Sequence, residues 1–372
     1  MEKIRFVHPR PPGLVDIQEE LNEILESGIL SFRLGGKNVQ KFQDNMKEYT
    51  GKMYAIGTSS CTSGLMLLLS HPKFKGSVIV PSFTFHATAA ACKWNNLDIL
   101  FADVDYDTMT MDVDYVEFLL SNSMINSYNN ISAILVANMF GNPPDFERLY
   151  KLCVKYDVSL IVDAAQSIGS MYKGKNAGYW GHVEVFSYSA SKLLTGGEGG
   201  CVVTDDYAIK DWIEKGLHYG AGGSYDPEFA GLNARMPEFN ALLLNKQYDR
   251  LNDIVEKQLN VFHMYEYRLS DLVDEGFVSF QKEQPGGKSS RKECTIRILN
   301  GKRDKISVAL VKAGIEHKQY WSVPVHKTKA YKQETYLENT EKLAKEVISL
   351  PMHFNLTEES IDYICSVIKE NI

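Results

Sequence analysis

The sequence predicts an α/β fold, with a large domain over 1–245 and a smaller α+β C-terminal domain over 246–372. Two observations carry this expectation. Short, unbroken apolar runs recur from 77 to 204, and amphipathic stretches separate several of them. That is the pattern of a mostly parallel central sheet flanked by helices on both faces. After 269 the pattern changes to shorter runs, which sets off the second unit.

In chain order, Ser77-Val78-Ile79-Val80 reads as a buried strand stopped by Pro81. The runs 98–104, 132–137, 158–162, 183–187 and 201–204 read as the strands that follow, and 144–156 as a helix between two of them. The stretch 240–269 reads as one long helix. Beyond it, 276–280, 294–298 and 315–320 read as strands, and 302–313 and 358–371 as helices. The loop 284–290 reads as exposed. Its Gly286-Gly287-Lys288-Ser289-Ser290 is similar to half a P-loop, but the first glycine of that motif would fall on Lys282.

Composition narrows the function. The 372 residues carry a net charge of −7, which argues against a nucleic-acid partner, because phosphate binding needs a basic surface. No apolar run approaches the length that crosses a bilayer, and MEKIRFVHPRPPG lacks the apolar core of a secretory signal. A cytoplasmic protein without a membrane partner is expected. The six cysteines are scattered and form no C-x-x-C pair, so thiols are expected and no metal site.

Chemistry is sought at the carboxyl ends of the strands, where open α/β sheets bind ligands. Asp163 follows the run ending at Val162; it reads either as a helix cap or as the partner of a cation. Lys192 follows Phe186-Ser187-Tyr188-Ser189-Ala190-Ser191 and runs into Gly196-Gly197-Glu198-Gly199-Gly200; it is either a solvated lysine or a Schiff-base nucleophile. Gly57-Thr58-Ser59-Ser60-Cys61-Thr62-Ser63-Gly64 opens a Leu-rich helix, as a simple N-cap or as a phosphate cup. Phe85, just past Pro81, is either a core ring or a stacking platform. A phosphate cup, a stacking ring, a strand-end carboxylate and a lysine, in that order, together fit one cofactor, pyridoxal 5′-phosphate (PLP).

Val162-Asp163-Ala164-Ala165-Gln166, Phe186-Ser187-Tyr188 with Lys192, and Gly197-Glu198-Gly199-Gly200 resemble the signature of the DegT/DnrJ/StrS family. So do Gly231-Leu232-Asn233-Ala234-Arg235-Met236-Pro237-Glu238 and Ser349-Leu350-Pro351-Met352-His353. These are nucleotide-sugar aminotransferases of the fold-type I PLP-dependent transferases. The resemblance covers nearly the whole chain. It implies that Lys192 is the Schiff-base lysine and proton shuttle, and that Asp163 pairs with the pyridine nitrogen. It puts Gln166 near the ring and its O3′, Phe85 on the ring face, and Thr62, Ser63 and Ser187 on the phosphate. Asn233 would reach the phosphate of the neighbouring subunit, so a homodimer with shared sites is implied. His326 is implied near the sugar nucleotide, and Tyr219, on the 218–232 loop, is a further candidate for contact with it.

The implied reaction moves an amino group from L-glutamate to a 3- or 4-keto-6-deoxyhexose linked to dTDP, UDP or GDP. Another cyclic ketone, such as an aminocyclitol precursor, is an alternative acceptor. A non-catalytic PLP-fold regulator would lack Lys192 or Asp163, and both are present. Family members that dehydrate their sugar carry His at the lysine position, so Lys192 favours amino transfer. The chain departs from the family at Cys61, where a glycine is usual, at Val162, and at His182, where Asp is common. No role is assigned to His86 or His182.

Overall fold

The computed structural model describes residues 3–9, 11–31, 36–123 and 130–372. The large domain opens with α1 (Leu14–Ser27) and α2 (Lys37–Thr50). It continues with β1 (Tyr54–Thr58), α3 (Cys61–Leu69), β2 (Ser77–Pro81), α4 (His86–Trp94), β3 (Asp98–Ala102), α5 (Val113–Ser123) and β4 (Ile131–Ala137). Then come α6 (Phe146–Tyr156), β5 (Ser159–Asp163), the short β6 (Met171–Tyr172) and β7 (Lys175–Asn176), β8 (Val183–Ser187), β9 (Gly200–Thr204), α7 (Tyr207–Gly216) and α8 (Glu238–Tyr248). The remaining elements are α9 (Leu251–Arg268), α10 (Ser270–Asp274), β10 (Val278–Phe280), β11 (Gly287–Lys288), β12 (Cys294–Ile298), α11 (Arg303–Lys312), α12 (Glu338–Glu346), β13 (Val347–Leu350) and α13 (Glu358–Lys369).

Among the described residues the central sheet has seven strands in the order β1-β9-β8-β5-β4-β2-β3. Neighbours from β3 to β8 run parallel, and β9 is antiparallel to both β8 and β1. Every strand except β9 therefore ends at the same edge of the sheet, and β9 begins there. Branched apolar residues such as Val78, Ile134, Ile161 and Val185 are buried in two clusters, one on each sheet face. This explains why the strands read as continuous rather than alternating runs.

A three-stranded antiparallel sheet, β10-β12-β13, forms the small domain. Its core takes Val261, Phe262 and Tyr265 from α9, Ile306 and Leu310 from α11, and Ile361, Ile364 and Ile368 from α13. The N-terminal segment rides on this domain, where Ile4 bridges Ile315.

Four sequence expectations are corrected. The helix expected over 240–269 is two helices, α8 and α9. The end of α8 is held to the Lys192 loop by Gln247, whose amide bonds both N and O of Thr195. In contrast, α9 carries Leu251 and Ile254 in the large core and Val261 and Phe262 in the small one, so the two axes answer to different partners. The run 315–320 is no strand: Ile315 and Lys318 bridge different segments, Ile4 and Ser349. The edge strand β1 and the small-domain strand β13 are additions. The loop 284–290 is only partly exposed, since β11 pairs with β6 and Ser289 and Ser290 are buried.

Candidate active site

Asp163 is the last residue of β5, flanked by Ala137 of β4 and Val185 of β8. It is buried. One carboxylate oxygen accepts from Thr88 Oγ1 at 2.7 Å; the other accepts from Ala165 N at 3.1 Å and faces Cys61 Sγ at 3.8 Å. Burial raises its pKa, and the Thr88 and Ala165 bonds pull the other way. Such a carboxylate gains most from a cationic partner placed beside it.

Lys192 lies on the turn between β8 and β9. The turn is closed by Lys192 N donating to Ser189 O and Gly196 N donating to Tyr188 O, both at 2.9 Å. Burial, followed by the charge of Lys292, lowers the pKa of Lys192. A larger neutral fraction makes the amine a better nucleophile.

The N-terminus of α3 faces the same region. Ser60 caps it by accepting from Ser63 N at 3.0 Å, and Ser63 Oγ accepts from Ser60 N at 3.1 Å. The first N–H groups of a helix have no acceptor within it and carry its positive dipole end, which suits a phosphate. Strand β9 passes directly behind this terminus. A Cβ on Gly200 would lie 2.4 Å from Ser60 C and 2.5 Å from Cys61 N, so only glycine fits there.

These groups meet in one cavity of about 290 Å³. Its lining includes Thr62, Phe85, Asp163, Gln166, Ser187 and Lys192, all read from the sequence. Phe85 is 62% exposed, at the rim. Gln166 Oε1 accepts from Phe140 N at 2.8 Å. Asn138, 2% exposed, also lines the cavity, and neither of its amide atoms has a partner among the described residues. Buried polar atoms left unmatched call for a polar occupant. The anion cup, aromatic rim, buried carboxylate and depressed lysine fit PLP in each of its parts.

Other sequence-predicted residues lie elsewhere. Ser63 does not line the cavity, and its hydroxyl is engaged in the cap of α3. Tyr219, on the 218–232 loop, and Asn233, just after it, are exposed and lie outside the cavity of this chain. His326 is fully buried behind the wall: Ser82 Oγ lies 2.5 Å from its Nδ1, and Glu341 lies 3.4 Å from its Nε2. His326 does not line the cavity. His86 is exposed and stacked on Phe85 with ring centroids 5.9 Å apart. His182 stacks on Tyr150 in a separate cleft at the opposite ends of the strands.

Sequence reasoning gave no role to Thr88, Asn138, Glu293, Tyr320 or Trp321. Asn138 directly follows β4 and was open to the strand-end rule that found Asp163. Glu293, Tyr320 and Trp321 come from the small domain, and no local spacing announces them.

The DegT/DnrJ/EryC1/StrS aminotransferase family model matches residues 14–369. GDP-perosamine synthase of Escherichia coli O157:H7 is 28% identical over 380 residues, covering 99% of each chain. UDP-N-acetyl-3-dehydro-alpha-D-glucosamine 3-aminotransferase of Acidithiobacillus ferrooxidans is 29% identical over 362 residues, covering 96% of this chain and 94% of its own. The crystal structure of DesI in the presence of its TDP-sugar product matches with a TM-score of 0.90 at 27% identity, covering 100% of this chain and 93% of the other. The chain belongs to the DegT/DnrJ/EryC1/StrS aminotransferase family.

Proposed function

We propose that this enzyme uses PLP to move an amino group from L-glutamate to a keto-sugar nucleotide, a 3- or 4-keto-6-deoxyhexose on dTDP, UDP or GDP. The observation that carries the reading is the meeting of Lys192 and Asp163 in one cavity beside a helix N-terminus. The names of the relatives above support the substrate class.

Bound PLP supplies an aldehyde for the amino group and a cationic ring that draws off electrons. The chain's residues do the rest. The depressed pKa of Lys192 keeps its amine ready to hold the aldehyde carbon. With PLP bound, the Lys192 amine would be placed to carry the proton from the donor Cα, a service worth ~10²- to 10⁴-fold for a well-placed base. Asp163 holds the ring nitrogen protonated. Phe85 would cover the ring, Gln166 would lie near O3′, and Thr62 and Ser187 would hold the phosphate with the α3 terminus. Asn233 serves the phosphate of the neighbouring subunit in a homodimer, and Tyr219 on the same loop is available to the sugar nucleotide.

The test is optical. Purified protein with PLP should show the visible band of the lysine-bound cofactor, and L-glutamate should move it into the near-ultraviolet. Adding a keto-sugar nucleotide should restore it. Lys192→Ala should abolish both band and turnover; retained turnover would sink the assignment.

A further inference from the structure

The residues that fit PLP all come from the large domain, whereas the small domain sends Glu293, Tyr320 and Trp321 into the same cavity. Glu293 lies just before β12 and is 5% exposed. Lys292 Nζ donates to its Oε1 at 2.8 Å, and the two side chains are 6% and 4% exposed. Lys292 N in turn donates to Phe140 O at 3.0 Å, which fixes the pair against the large domain. The second carboxylate oxygen, Oε2, is buried and has no partner among the described residues. A carboxylate oxygen only accepts, so the missing partner must be a donor.

The donors on the two substrates are the amine of L-glutamate, the hydroxyls of the hexose, and the ribose hydroxyls and base N–H groups of the nucleotide. The carboxylates of L-glutamate and the phosphates of a nucleotide are acceptors. The donor amine is consumed by the reaction. Of the donors that remain, the hexose hydroxyls are held closest to the carbonyl carbon that must reach Lys192, and Glu293 lines the cavity together with Lys192 and Trp321. We propose that Glu293 reads a hydroxyl of the acceptor sugar through its free oxygen, and so selects a neutral hydroxylated hexose over a uronate. This rests on the reading of the chain as a sugar aminotransferase. A uronate would set its own carboxylate against that of Glu293, and like charges in a shielded cavity repel strongly. Lys292 positions Glu293 and answers only one of its oxygens.

The experiment compares the holoenzyme with Glu293→Gln in each half-reaction, followed by cofactor absorbance. The substitution keeps one oxygen for Lys292 and replaces the free acceptor by an amide donor. The L-glutamate half-reaction is expected to stay within about twofold, because the proposed contact is to a hydroxyl that L-glutamate does not carry. For a neutral keto-sugar nucleotide KM is expected to rise about tenfold with kcat little changed, the size expected when a hydrogen bond to a charged group is lost. The preference for the neutral sugar over the matching uronate is expected to fall at least as far.

A second variant, Glu293→Asp, keeps a carboxylate beside Lys292, so no charge is orphaned, and withdraws it by one methylene from the cavity. It should show the same split. Equal loss in both half-reactions, or no change in either, overturns the role of Glu293. Wild-type enzyme that takes up the amino group from L-glutamate but passes it to no nucleotide sugar overturns the underlying reading, and the role of Glu293 with it.

Discussion

Asp163 and Thr88 act as one unit. Burial raises the pKa of Asp163 in the folded chain, so the folded state holds that proton more tightly than the unfolded one. Its contribution to stability is therefore full at acid pH and is lost as pH rises through the folded value. At neutral pH the carboxylate costs the cofactor-free fold free energy, and Asp163→Asn should raise its melting temperature. The same change removes the anion proposed to face the ring nitrogen, so turnover should fall roughly 10²- to 10³-fold, the range for losing one preorganised electrostatic group. A melting curve and a rate on one preparation check both signs. Thr88→Val removes the 2.7 Å bond to the charged form, which raises the Asp163 pKa further. The acid limb of the kcat–pH profile should move to higher pH; an unmoved limb would show that Thr88 does not support the carboxylate.

The α3 terminus and β9 are built for close approach, and glycine is the means. Gly200→Ala would drive a methyl into the Ser60–Cys61 peptide, so the helix start must shift. Overpacking of this kind costs about 1–3 kcal/mol. Because the displaced N–H groups belong to the proposed phosphate cup, the affinity for PLP should fall together with the urea midpoint. Gly64→Ala makes the useful comparison: its Cβ meets the side chains of Val185 and Val202 at 2.9 and 3.1 Å rather than backbone, so stability should suffer with a smaller loss of PLP affinity.

The same elements show what the sequence made legible. The parallel strands were readable because both of their faces are buried and their apolar runs are unbroken. Strand β1 was not, since Tyr54-Ala55-Ile56-Gly57-Thr58 is short and contains a glycine. Strand β13 hides behind α12, because no breaker separates Glu346 from Val347. The break between α8 and α9 carries neither Gly nor Pro; tertiary anchoring through Gln247 overrides the local pattern. Within the site, the motif residues lie near strand ends, where a rule reaches them. Glu293 and Trp321 enter from the other domain, and only the fold brings them there.

The placement of Asn233 bears on assembly. It is exposed, and its backbone bridges His218 on the loop that also carries Tyr219, which is 56% exposed. None of the three lines the cavity of its own chain. If Asn233 completes the phosphate site of a neighbour, defects in Lys192 and Asn233 belong to different sites of one dimer. A Lys192→Ala chain paired with an Asn233→Ala chain then contains one site lacking both residues and one intact site. Each variant alone should be impaired at limiting PLP, whereas the mixed dimer should work. Random mixing of equal amounts makes half of the dimers mixed, so turnover should recover to roughly a quarter of wild type in a C2 dimer. If Asn233 acted only within its own chain, neither chain of the mixed dimer would hold a complete site, and mixing would restore nothing. Activity measured before and after subunit exchange, with exchange verified by mass, separates the two cases.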